Sequence, residues 1–374
     1  MWLNAKKCRI ATSNAAFFSP FHKKWLISHP QNEQPLCCNT CYVTPKFLIS
    51  LDYIYLFLGL ALLLVAADLL VDSSVAIARR ARVSNFIIGL TIVGMGTSAP
   101  ELFVSISSAL SGHGDIAMGN VIGSNIANIF LILGVSATIL PFTIKREVSR
   151  RDIPFGIIAA LLLLLLANDA LLPGIAENTL SRIDAIFMLV LFFVYMCYTV
   201  VIKGRNPQQA VAEADEETKS KLTGKHPALL WVIAIASLVA LIYGGTLFLD
   251  SAQNLARAWG MSEAVISITI VAVGTSLPEL ITAITAALKK NPELALGNVI
   301  GSNVFNILMI LGLAGTIRPM TFTTVSIVDY AVMCIAAVMT YLIIFTFGKH
   351  RFDRIEGVIF LLCYIAYTAY LLLR

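Results

Sequence analysis

Gly96-Thr-Ser-Ala-Pro-Glu101 returns as Gly274-Thr-Ser-Leu-Pro-Glu279, and Gly119-Asn-Val-Ile-Gly-Ser-Asn125 returns unchanged from Gly297 to Asn303. Both blocks are displaced by 178 residues (279 against 101, 303 against 125), and the residues between them align without a gap. The correspondence continues outward through Asp72 with Asp250, Thr91-Ile-Val93 with Thr269-Ile-Val271, and Ile132-Leu-Gly134 with Ile310-Leu-Gly312. A duplication of about half the chain points to a two-fold architecture of the kind transporters use, not to a solenoid.

The chain around these blocks is apolar: 58% of its residues are hydrophobic and 13% charged, with a mean hydropathy of +0.82. Soluble domains carry about a quarter of charged residues, so this composition belongs to an integral membrane protein. Runs such as 153–167, 183–202 and 331–347 approach or reach the roughly 20 residues a spanning helix needs. Strict alternation is missing, which excludes a barrel. The runs place spans near 53–71, 86–111, 116–140, 153–170, 183–202, 228–249, 264–288, 294–317, 326–347 and 355–373. The expected fold is therefore all-α, with about ten transmembrane helices. Residues 47–202 form repeat one, 203–227 a charged linker, and 228–374 repeat two.

Five helices per repeat is an odd number, so repeat two crosses the membrane upside down relative to repeat one. Basic residues give the orientation. Arg79, Arg80, Arg82, Lys145, Arg146, Arg150, Arg151, Lys203, Lys219, Lys221, Lys225, Lys289, Lys290, Lys349 and Arg351 gather on one side, while the other loops hold little beyond Arg182, Arg257 and Arg318. The positive-inside rule makes the first set and the linker cytoplasmic, with both termini outside. Residues 1–46 depart from this pattern: they carry Lys6, Lys7, Arg9, Lys23, Lys24 and Lys46, lack an apolar signal core, and have no counterpart before repeat two. They read as a disordered extension. Cys38-x-x-Cys41 supplies only two of the four ligands a structural zinc wants.

An ionised glutamate at mid-membrane costs about 2.5–3.5 kcal/mol on insertion scales, so Glu101 and Glu279 need compensation. Pro100 and Pro278 precede them, and with Gly94, Gly96 and Gly274 they should break each helix and release carbonyls near Gly94 and Ala272 toward a cation. The side-chain ligands are all oxygen: Thr97, Ser98 and Glu101 with Ser124, Asn125 and Asn128, and the repeated Thr275, Ser276, Glu279, Ser302 and Asn306. Neither block holds histidine or cysteine, which favours calcium, sodium or magnesium over zinc, copper or iron. Ser124 and Asn128 share one helix face, as do Ser302 and Asn306. Two carboxylates neutralise one divalent or two monovalent ions, and competition for them is the simplest basis for exchange. Serine nucleophile chemistry is excluded, because neither block supplies a histidine or lysine base and His113 falls in a short turn. Gly119-x-x-x-Gly123 and Gly297-x-x-x-Gly301 should also let helices pack closely.

Together, the doubled G-T-S-x-P-E and G-N-x-x-G-S-N-x-x-N motifs resemble the alpha-repeats of the cation/calcium antiporter superfamily, specifically the bacterial and archaeal sodium/calcium exchangers. The resemblance runs from about Tyr53 to the C-terminus. It implies a core in which helices two, three, seven and eight surround the ions while helices one and six slide across them. It implies export of calcium against entering sodium, with proton-coupled cation exchange as the alternative, in the inner (plasma) membrane. Carried over by position, Glu101 and Glu279 would be central ligands shared by both ions. Thr97, Ser98, Thr275 and Ser276 would line the sites, Gly94 and Ala272 would offer backbone oxygens, and Ser124, Asn128, Ser302 and Asn306 would complete the cluster. Asn306 stands where potassium-dependent members carry an acid, which leans toward potassium-independent exchange. The resemblance implies no cofactor and no enzymatic activity. The expected partners are calcium, sodium and the lipid bilayer, not nucleic acid, with a monomer as the working unit.

Overall fold

The computed structural model describes residues 45–146, 148–169, 178–199, 220–261, 274–323, 325–346 and 351–373. The N-terminal extension up to residue 44, with Cys8, Cys37, Cys38 and Cys41, lies outside the described residues, as do the first part of the seventh span and Ala272 within it. What is described is helical wherever hydropathy expects a span. The helices are α1 (Pro45–Ala81), α2 (Asn85–Thr97 and Ala99–Leu110), α3 (Gly114–Ile139), α4 (Ile153–Leu166), α5 (Arg182–Cys197), α6 (Pro227–Ala258), α7 (Leu277–Leu288), α8 (Pro292–Ile317), α9 (Ile327–Thr346) and α10 (Arg354–Leu373). Among the described residues, α1, α3, α6, α8 and α10 are each long and apolar enough to cross a membrane, and the two parts of α2 are so together.

Burial sorts these helices into layers. The apolar window of α8 is 94% buried and that of α3 is 72% buried, whereas α1, α6 and α10 bury only 33%, 28% and 22%. A helix that is apolar all round and unburied by protein must face lipid. α3 and α8 are the core, and the exposed Phe57, Leu58 and Val65 of α1 and Val232, Ile235 and Val239 of α6 form part of the outer face.

α1 and α6 pack together along much of their length and cross where Gly59 meets Gly244. A Cβ on Gly59 would lie 2.7 Å from the Phe248 nitrogen and 2.9 Å from the Gly244 carbonyl, so only glycine permits this approach. Both helices outrun their apolar spans, ending at Ala81 and Ala258, roughly two and a half turns past residues 71 and 249. Hydropathy falls at Asp72 and Asp250, but helical hydrogen bonding does not need apolar side chains to continue.

Two small antiparallel strand pairs tie the repeats together. β1 (Phe142–Thr143), which follows α3, pairs with β4 (Arg351–Phe352), which precedes α10. β3 (Met320–Phe322), which follows α8, pairs with β2 (Asn178–Leu180), which precedes α5. Each repeat thus extends the strand after its third helix to the strand before the other repeat's fifth. The Phe142 and Phe352 rings stack with centroids 5.6 Å apart, reinforcing one of the two pairs.

Candidate ion-binding site

α2 bends by 47° at Ser98, two residues before Pro100. Proline has no N–H to give the carbonyl four residues back, so the ladder is interrupted at Gly96. The Gly94 carbonyl, expected to be released, instead keeps its helical bond from Ser98 N at 3.2 Å and also accepts from Ser302 Oγ at 3.1 Å. The bend comes too late along the chain to free it. In α7, Pro278 stands in the same first-turn position before Glu279. Each glutamate therefore occupies the first turn of a helix, where the positive end of the dipole offsets part of the cost of burying its charge.

Glu101 and Glu279 are each 1% exposed, and they lie near enough to repel one another. What joins them is a reciprocal exchange of hydrogen bonds. Ser98 of repeat one donates to Glu279 Oε1 at 2.8 Å, and Ser276 of repeat two donates to Glu101 Oε1 at 3.4 Å. These are the same bond related by the repeat, since residues 98 and 276 correspond, as do 101 and 279. The second oxygen of each carboxylate, Oε2, is buried without a hydrogen-bond partner.

α3 and α8 complete the site. Ser124, Asn128, Ser302 and Asn306 are each 2% exposed or less. Ser124 faces the Glu101 carboxyl. Asn128 donates to Asn303 Oδ1 at 3.0 Å, which leaves its own Oδ1 unpartnered, and both polar atoms of Asn306 are unpartnered. Buried carboxylate and amide oxygens left without donors form a set that a hard cation satisfies. Among the described residues no three His, Cys, Asp or Glu side chains come together, so the formal charge here is that of the two glutamates. Thr97 is fully buried, while its counterpart Thr275 is half-buried.

Close packing between α2 and α8 fixes these positions. Gly297 faces the Phe86 carbonyl and Gly301 the Leu90 carbonyl, too close for any Cβ. Beside Gly119 and Gly123, expected to pack closely as well, no described residue comes within 4 Å of where a Cβ would stand. Helical geometry also widens at the site: π-turns occupy Gly89–Val93, Ala127–Leu133 and Phe305–Ile310, the last two carrying Asn128 and Asn306. Such turns recur at functional sites because they re-aim side chains without ending the helix.

The sequence reading assigned no role to Asn120 and Asn298, which are equivalent residues. Asn120 Nδ2 donates to the Glu101 carbonyl at 3.3 Å, and Asn298 Nδ2 to the Glu279 carbonyl at 3.4 Å. Their signal was available: 120, 124 and 128 recur at helical spacing, as do 298, 302 and 306. It also passed over two buried acids, Asp152, which accepts from Tyr195 OH at 3.2 Å, and Asp329, which accepts from Tyr367 OH at 3.1 Å.

An inverted pair of helical repeats that brings one buried carboxylate from each half to broken helices is the construction of a membrane secondary transporter. The comparisons with known proteins narrow this class. The sequence model described as sodium/calcium exchanger protein matches residues 51–201 and 229–373, and the chain belongs to that family. The sodium/calcium exchanger MaX1 of Methanosarcina acetivorans is 31% identical over 87% of this chain and 99% of its own length. Inner membrane protein YrbG of Escherichia coli K12 is 36% identical over 76% of this chain and 86% of its own. A solved structure of the sodium-calcium exchanger NCX_Mj, soaked with sodium and strontium, superposes with a TM-score of 0.72 at 32% identity, covering 86% of this chain and 99% of that one.

Proposed function

We propose that this protein is a secondary antiporter that exports calcium in exchange for sodium by alternating access. The observation that carries the reading is the reciprocal Ser98–Glu279 and Ser276–Glu101 bonding, which gathers two acids and their unpartnered oxygens in one buried place. One calcium or two sodium ions would neutralise that pair, so each ion displaces the other. Unloaded carboxylates repel one another and resist a dehydrated barrier, so the protein changes sides only when loaded.

In this reading Glu101 and Glu279 are the shared ligands, and Thr97, Ser98, Thr275 and Ser276 line the ion positions. Ser124, Asn128, Ser302 and Asn306 close the cluster from α3 and α8, and Ala272 contributes a backbone oxygen. Gly94 shapes the site through its bond from Ser302, and its carbonyl would turn to an ion only by releasing that donor. Helices 1–5 and 6–10 act as the two halves, joined by the linker 203–227. The protein works as a monomer; its place in the inner membrane accords with the name of its Escherichia coli relative, and the basic residues put the linker in the cytoplasm and both termini outside.

Purified protein in sodium-loaded vesicles, diluted into sodium-free buffer with labelled calcium, should accumulate calcium with no pH difference imposed. Uptake that follows only an imposed proton gradient would replace sodium with protons as the coupling ion.

A further inference from the structure

One proton at the site has a choice of acceptors. The Thr97 hydroxyl lies 3.2 Å from Asn298 Oδ1 and 3.4 Å from its own turn's Gly94 carbonyl, and it also stands beside the Glu279 carboxyl. Where that proton points decides what the site offers a cation. Directed at Glu279 it would occupy a carboxylate lone pair and place a positive hydrogen where the ion should be. Directed at Asn298 Oδ1, 3.2 Å away, it leaves the Thr97 lone pairs and Glu279 Oε2 available.

Asn298 is well placed to hold that choice. It is fully buried, and its amide N–H donates to the Glu279 carbonyl, so its oxygen is left turned toward Thr97. One side chain thereby joins a threonine of repeat one to the glutamate turn of repeat two. Its counterpart Asn120 is held differently: the amide is shared between the Glu101 carbonyl and Ser105 Oγ at 3.0 Å, and the residue equivalent to Ser105 is Ala283. No bond from Thr275 to Asn120 is present among the described residues.

We propose that Asn298 is a positioning residue that draws the Thr97 proton away from Glu279, so that Thr97 and Glu279 both present lone pairs to the transported cation. This rests on the exchange reading above. It acts on ion affinity through Thr97 and touches no ion itself.

The test is calcium uptake by sodium-loaded vesicles carrying the full-length chain, measured against external calcium. Asn298→Ala should raise the half-saturating calcium concentration about tenfold, with the maximal rate within about twofold of the parent, a loss of roughly 1.4 kcal/mol in binding. Thr97→Val should do the same, and the double variant should be no worse than either single one. Asn120→Ala should shift it by less than about threefold. An unshifted Asn298→Ala, multiplying effects in the double variant, or equal shifts at Asn120 and Asn298 would each overturn the proposal. If Asn298→Ala does not fold, Thr97→Ser must keep parental half-saturation while Thr97→Val loses it, and equal behaviour of those two overturns it as well. A parent chain that takes up no calcium under a sodium gradient overturns the exchange reading itself, whereas an active parent with unshifted Asn298→Ala overturns only this role.

Discussion

At Ser98 and Ser276 the two halves of the chain make one hydrogen bond in opposite directions, but at the ends of α1 and α6 they part company. Asp72 is 5% exposed and pairs with Lys289 Nζ at 2.9 Å, and the same ammonium reaches Asp68 Oδ1 at 2.7 Å. Lys221 adds a 3.4 Å contact to Asp68, and Ser220 donates to the Asp72 carbonyl, so the end of the linker joins the cluster. In the other half the equivalent of Lys289 is Ser111, that of Asp68 is Thr246, and Asp250 is exposed. The reciprocal serine–glutamate bonding is shared by both halves, and symmetry is given up where α1 meets the α7–α8 turn. Under the alternating access proposed above, a one-sided ion pair is a means of setting the balance between the two open states.

Four experiments would break or sharpen that comparison. The largest effect belongs to Glu101→Gln and Glu279→Gln: each should reduce exchange at least about a hundredfold in the vesicle assay while leaving a monodisperse protein. Retained transport in either would show that the two acids are not equivalent. Next, Gly301→Ala forces a Cβ onto the Leu90 backbone and should destabilise the protein by about 1–3 kcal/mol, read as a lowered unfolding temperature in detergent. Ser98→Ala and Ser276→Ala should each weaken calcium half-saturation by about tenfold, and a large difference between them would mean that the reciprocal bonds do unequal jobs. The smallest shift is expected from Lys289→Met, which should change the ratio of calcium uptake by inside-out and right-side-out vesicles by about threefold.

Most of the fold was legible because lipid imposes a strong code: a span must be long, apolar and helical. The duplicated blocks marked the glutamates before any contact was known, and Pro100 correctly signalled a bend. Three things were not written in hydropathy. The π-turns at Ala127–Leu133 and Phe305–Ile310 are changes of hydrogen-bond register within uninterrupted apolar sequence, so no residue announces them. The Gly94 carbonyl stays in the helical ladder because proline marks which donor is missing but not where the chain turns. Lys289 counted only as one more positive charge near the membrane surface. Its pairing with Asp68 and Asp72 joins residues more than two hundred positions apart, and such pairs exist only once the chain has folded.

The crossed strands constrain how such a molecule can move. β1 with β4 and β2 with β3 lace α3 to α10 and α8 to α5, a fastening at each face of the bilayer. Neither α1 nor α6 carries a strand among the described residues, and each is mostly bathed in lipid. The strands thus fasten helices of opposite repeats to one another, whereas α1 is held by the ion pairs of Asp68 and Asp72 with Lys289, and α6 by its glycine crossing with α1.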